Sequence, residues 1–138
     1  MMHYKLLLMV GMGLFVVGCG DGSTEADRIG IGAECNDSAE CESPDEAFEL
    51  ECLTQFKGGY CGLEGCDGDD KCPEGSACVT HDDGVNYCFR VCVNKYPDCN
   101  YNRPSCEANC VGSVTFVDPR NDRKACEPPS AADDCPIP

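Results

Sequence analysis

The chain has 138 residues, 15 of them Cys, no Trp, and a formal net charge of −15. That length allows one compact domain or a few very small ones. So acidic a surface repels nucleic-acid phosphates and anionic head groups, which argues against nucleic acid as a partner.

The N-terminus reads as a targeting signal over residues 1–18. Lys5 supplies the one charge before an apolar run, Leu6 to Val17. That run is shorter than the ~20 residues a membrane-spanning helix needs, and it fits the core of a secretory signal. The junction Val16-Val17-Gly18-Cys19 resembles the bacterial lipobox, with Val16 where Leu is commoner. The resemblance implies transfer of diacylglycerol to the Cys19 thiol, cleavage before Cys19 and frequent acylation of the new amino group, so the expected partner is membrane lipid. Fourteen Cys remain beyond Cys19, the even number a fully paired secreted domain needs. Gly20 follows Cys19, not the Asp that retains some lipoprotein precursors at the inner membrane. The expectation is an outer-membrane, lipid-anchored protein.

Residues 19–34 are expected to form the lipidated N-terminus and a flexible tether, spanning on the order of 20 Å if it behaves as a Gly/Ser-rich coil. The disulfide-rich domain then covers 35–138. Beyond Cys19 there are nine basic against 25 acidic side chains, a net charge of −16. Leu, Ile, Val and Phe make up only 17 of those 119 residues. Below ~20% at high net charge a chain is usually disordered. Backbone ordering costs roughly 1–2 kcal/mol per residue, which so little apolar surface cannot offset. Covalent bridges at ~2–4 kcal/mol each can, and export supplies the oxidising compartment they need.

The Cys spacing repeats, giving units at about 35–65, 66–91 and 92–138. Cys35, Cys41, Cys52 and Cys61 form the first, and Cys66, Cys72, Cys78 and Cys88 the second. The third begins Cys92, Cys99 and leaves Cys106 or Cys110 for its third slot. Small four-cysteine hairpin modules usually cross-link first to third and second to fourth. On that basis Cys35 is expected with Cys52, Cys41 with Cys61, Cys66 with Cys78, and Cys72 with Cys88. Gly58-Gly59 and Asp83-Gly84 read as hairpin turns. A third hairpin is expected from Val114–Val117 through Asp118–Asp122 to Cys126. Ser43-Pro44-Asp45-Glu46 carries a helix-start pattern that Ala47–Leu50 could continue. The expected fold is small and disulfide-rich, with two to three stacked β-hairpin modules and little regular secondary structure.

Ile31-Gly-Ala-Glu-Cys35, Cys52-Leu-Thr with Gly58-Gly-Tyr-Cys61, and Cys72-Pro-Glu-Gly-Ser-Ala-Cys78 resemble cysteine-rich bacterial surface lipoproteins with Dickkopf-N-terminal and EGF-like repeats. The resemblance covers residues 31–99 and implies no activity.

Chemistry is hard to place. No C-x₂-C pair occurs, so neither a zinc, an iron–sulfur nor a thioredoxin-like site is expected. His81, the one His beyond Cys19, is expected at an exposed strand end, without a G-x-S-x-G elbow to partner it. Asp67-Gly-Asp-Asp70 offers hard oxygen ligands to calcium, but Cys78 stands where an EF-hand needs Glu, and a solvated acidic turn is the plainer reading. No cofactor is expected. Arg120, Arg123 and Lys124 cluster in the third unit, as in the bait loop of a small protease inhibitor. The leading expectation is a non-enzymatic surface binding module for an extracellular protein or glycan. The alternatives are a protease inhibitor and a passive envelope component.

Overall fold

The computed structural model describes residues 22–43, 47–120 and 122–135. The expected signal segment, Cys19 and residues 44–46 of the expected helix start lie outside them. Among the described residues the fold is small and disulfide-rich, with seven bridges, two antiparallel sheets and one short α-helix.

The first unit pairs β1 (Glu51–Cys52) with β2 (Cys61–Gly62), the register setting Cys52 opposite Cys61. Gly58 and Gly59 turn between them at φ of 75° and 69°. A Cβ on Gly59 would overlap the Cys35 carbonyl oxygen and the sulfurs of the Cys35–Cys52 bridge. Only glycine suits both the backbone and that approach. Ala47 to Leu50 hold no helix. The expected continuation therefore fails, and Leu50 instead leads directly into β1 as part of the core.

The second unit is a hairpin of β3 (Ser76–Thr80) and β4 (Asn86–Cys92). The turn closes with the Val85 carbonyl accepting from His81 N–H at 2.9 Å and the His81 carbonyl accepting from Gly84 N–H at 2.9 Å. Side chains alternate across a strand, so Cys78 and Cys88, opposite each other, share one face. Tyr87 and Phe89 share the other, their rings stacked 5.8 Å apart. The two faces are buried differently. Sulfur covers the first: Cys66, Cys72, Cys78 and Cys88 form a cluster with Leu63 and Val117. Aromatic packing covers the second. Phe56 from the first unit stands edge-on to Tyr60, Tyr87 and Phe89 with ring centres 5.0–5.8 Å apart, a favoured geometry for aromatic quadrupoles.

The third unit does not form a hairpin of its own. β6 (Thr115–Phe116) adds to β3, while β7 (Lys124–Glu127) pairs with β4 on one side and β5 (Asn109–Val111) on the other. The sheet order is β5-β7-β4-β3-β6. The reason is edge satisfaction. Both edges of the β3–β4 hairpin carry unpaired backbone groups, and the two expected arms of the third hairpin each take one. Units two and three thus share a sheet. The C-terminal segment also returns to the first unit, where the Pro129 carbonyl accepts from Lys57 N–H and the Gln55 carbonyl from Ala131 N–H.

Residues 24–34 are not a tether. Thr24 and Asp27 cap α1 (Glu25–Ile29) reciprocally, and Gly30 ends it at φ 85°. Ala26, Ile29 and Ile31 are buried in the main core. Asp27 ion-pairs with Arg90 of β4. α1 sits so close to the segment before β3 that a Cβ on Gly75 would overlap the Thr24 side chain. The expected flexible stretch over 19–34 therefore loses residues 24–34 to the domain, because three apolar side chains there have a core to enter.

Tyr60 is fully buried and its hydroxyl accepts from Arg90 N–H at 3.3 Å. Burial pushes its pKa up to about 12, against the opposing pull of that bond and of Arg103 and Arg90. Its stabilising contribution is therefore complete below pH 10 and lost as pH rises towards 12, at about 1.4 kcal/mol per pH unit. Thermal melts between pH 10 and 12 are expected to show this loss, and Tyr60→Phe to make it less steep, the remainder coming from Tyr87, which burial also pushes up to about 12. An unchanged slope in that variant would rule out Tyr60 as the source.

Candidate functional site

Seven bridges consume all fourteen cysteines from Cys35 to Cys135. Cys35 bonds Cys52, Cys41 bonds Cys61, Cys66 bonds Cys78, and Cys72 bonds Cys88. Cys92 with Cys110 and Cys99 with Cys126 continue the first-to-third, second-to-fourth order, so Cys110 takes the third slot. Cys106 bonds Cys135 outside the repeat. Within each unit the two bridges touch. Three sulfurs lie within 4.8 Å of one another in Cys35/Cys41/Cys52, in Cys66/Cys72/Cys88 and in Cys92/Cys99/Cys110. Thiolates so placed would bind a soft metal, but each sulfur is already bonded to another.

His81 is not at an exposed strand end. Its side chain is only 6% exposed, because the β3–β4 turn folds it back under Phe56, with ring centres 5.2 Å apart. A carboxylate stands at each ring nitrogen, Asp83 3.5 Å from Nδ1 and Glu127 3.7 Å from Nε2. The two acids differ. Asp83 is pushed up by burial, but the Val85 N–H, the Tyr87 hydroxyl and His81 outweigh this and hold it below its ordinary value. Glu127 is raised, by burial first and by Asp82, against the pull of His81. His81 and Glu127 line a concavity of about 260 Å³ whose rim adds Asp82, Asp133 and Asp134. Such a surface suits a cationic group, since four carboxylates meet there around an imidazole.

The acidic turn at Asp67–Asp70 is put to structural use. Asp69 accepts from Cys78 N–H at 2.9 Å and ion-pairs with Arg123 at 2.7 Å, while its own N–H donates to Asp118 at 2.7 Å. Asp70 pairs with Lys71 at the surface. With Asp69 committed to a guanidinium, the calcium reading loses its central ligand.

That ion pair also splits the basic cluster. Arg123 is 11% exposed in its side chain and lies over the Phe116 ring, 4.5 Å from its centre. Arg120 remains exposed, paired with Asp122, and Lys124 is exposed at the start of β7. The three cations do not form one presented loop, because Arg123 is drawn under β6 by Asp69.

One residue with no local sequence signal ties the N-terminal segment and the first unit to the third. Arg103 is 2% exposed. Its guanidinium donates to the carbonyls of Cys106, Gly32, Gly59 and Lys57 at 2.8–3.0 Å. No described carboxylate pairs with it directly. Glu34 instead accepts from the N–H groups of Ser105 and Cys106.

Among the described residues no helix is long and apolar enough to cross a membrane. No family model, curated protein or solved structure matches the chain.

Proposed function

We propose that the chain is a lipid-anchored, non-enzymatic binding module of the bacterial cell envelope. One observation carries the anchor. All fourteen cysteines of the domain are bonded to each other, so Cys19, in its lipobox-like setting, has no intrachain partner left. A thiol without a mate in an oxidising compartment needs a fate, and a thioether to diacylglycerol is the one its neighbours Val16, Val17 and Gly18 suit. The absence of Asp after Cys19 favours the outer membrane. With −16 charges beyond the signal, attachment falls to the acyl chains, more than one of which is needed for stable anchoring.

The domain supplies rigidity. Cross-links set its loops before any partner arrives, which lowers the ordering cost of recognition. The concavity beside His81 is the surface best suited to a partner, and its chemistry calls for a basic side chain of an extracellular protein.

Mass spectrometry of the mature protein is expected to give an N-terminal Cys19 carrying acyl chains and fourteen bonded cysteines that take up alkylating agent only after reduction. Cys19→Ala is expected to move the protein wholly from the detergent phase to the aqueous phase. An unmodified Cys19 thiol in membrane fractions would refute the anchor. For the binding surface, capture of an extracellular protein by the oxidised domain should fall several-fold in Glu127→Gln/Asp133→Asn. Capture that survives this change places the contact elsewhere, and no capture at all leaves a passive envelope component.

A further inference from the structure

Among the described residues the exposed large apolar side chains are Val93, Tyr96 and Tyr101, at 76%, 54% and 57% exposure. All three sit on one loop, residues 93–101, between β4 and the rest of the third unit. Large exposed apolar groups gathered in one place mark an interaction surface.

The loop is held in shape. The Asp98 carboxylate accepts from the N–H groups of Val93 and Asn94 at 2.8 and 2.9 Å. The Asn100 side chain bonds both the Lys95 carbonyl and the Ala108 backbone. Cys99 fastens it to β7. The surface is therefore preformed.

Its position relative to the start of the domain identifies the occupant. Pro97 and Tyr101 line a shallow, open concavity with Gly22, Ser23, Asp27 and Arg28. The Tyr101 hydroxyl donates to the Asp27 carbonyl at 3.3 Å. Gly22 is three residues from Cys19, a reach of at most ~10 Å even fully extended. A lipid on Cys19 would therefore be tethered within ~10 Å of the point where Gly22 meets the loop, a distance comparable to a head-group layer. Tyr rings, apolar with a polar tip, settle at that level of a bilayer. Arg90 lies 5.0 Å from the Tyr101 ring centre and Lys95 5.8 Å from that of Tyr96. The His81–Asp82 turn lies beyond the other end of β4, roughly 20 Å along the strand.

We propose that the loop 93–101 is a membrane-docking surface that seats the domain on the lipid–water interface beside its own anchor, with the β3–β4 turn at Asp82 held away from the bilayer. This rests on acylation of Cys19. The contact needs little intrinsic affinity, because the tether already supplies a high local concentration of bilayer.

The absence of Trp makes the test direct. The full-length acylated protein is reconstituted in phosphatidylcholine vesicles with brominated acyl chains, carrying either Tyr101→Trp, Tyr96→Trp or, at the far turn, Asp82→Trp. Bromolipid quenching is expected to be several-fold stronger for the indoles at 101 and 96 than at 82, with blue-shifted emission. Equal quenching at all three sites in a protein whose Cys19 carries acyl chains overturns docking and leaves the anchor standing. A blue shift at 96 and 101 without quenching, growing with protein density, assigns the loop to a second copy and also overturns it. An unacylated Cys19 removes both the docking and the reading beneath it.

Discussion

Reducing the seven disulfides is expected to unfold the domain completely at room temperature. Each bridge is worth ~2–4 kcal/mol through restriction of the unfolded chain, and a whole small domain is stable by only ~5–15 kcal/mol. The sum of seven exceeds that margin, so what remains without them has no net stability. Sulfur also covers the face of β3–β4 opposite the aromatic cluster, and reduction exchanges that close-packed layer for separated thiols. Far-ultraviolet dichroism and the dispersion of amide proton signals should both collapse on reduction, and no cooperative melt should survive. Single bridges follow loop length. Removing Cys99–Cys126, which closes 27 residues, should cost about 3.5 kcal/mol, and removing Cys66–Cys78, which closes 12, about 3 kcal/mol. A reduced chain that still melts cooperatively would show that apolar burial suffices and that the bridges are secondary.

Arg103→Met is expected to be the most damaging substitution outside the cysteines, at about 3–5 kcal/mol. Methionine fills much of the same volume, so a cavity is not the main cost. The loss comes from four carbonyls, Gly32, Lys57, Gly59 and Cys106, left inside without a donor. Each such acceptor costs roughly 1–3 kcal/mol, less where water enters. Burial lowers the pKa of the guanidinium, and Tyr60 and Glu34 act against that, so the charge is retained by carbonyl dipoles more than by a counter-ion. Arg103→Lys should recover only part of the loss, since one ammonium has three donors and no planar fork. Denaturant midpoints of the oxidised variants measure this. A shift below about 1 kcal/mol for Arg103→Met would mean that water replaces the guanidinium and that the units are joined by other contacts.

Composition and spacing carried the architecture far. Too little Leu, Ile, Val and Phe for a core, with fourteen cysteines in repeating gaps, leaves a disulfide-rich fold as the stable solution. The Gly58-Gly59 and Asp83-Gly84 turns are legible because hairpin geometry is local and demands those residues. The α1 segment had a readable signature, Thr24 to Asp27 with Gly30 behind it, but its acidic, glycine-rich neighbours resemble a linker. What turns it into structure is the docking of Ala26, Ile29 and Ile31.

The candidate site was less legible, and for one reason throughout. A Cys-Cys pair and a tight turn are chosen by nearby chain, whereas the environment of a lone side chain is set by whichever distant segment packs over it. His81 reads as exposed until Phe56 and Glu127 arrive from units one and three. Asp69 and Arg123 read as a calcium ligand and a bait residue until the sheet lays one against the other. The arms of the third hairpin read as mutual partners, yet two open edges of β3–β4 compete for them and win. Arg103 carries no local mark at all, since its role consists of four carbonyls scattered from residue 32 to residue 106. Disulfide spacing and turns are properties of neighbouring residues; burial, ion pairing and strand order are settled by segments that meet only once the chain has closed on itself.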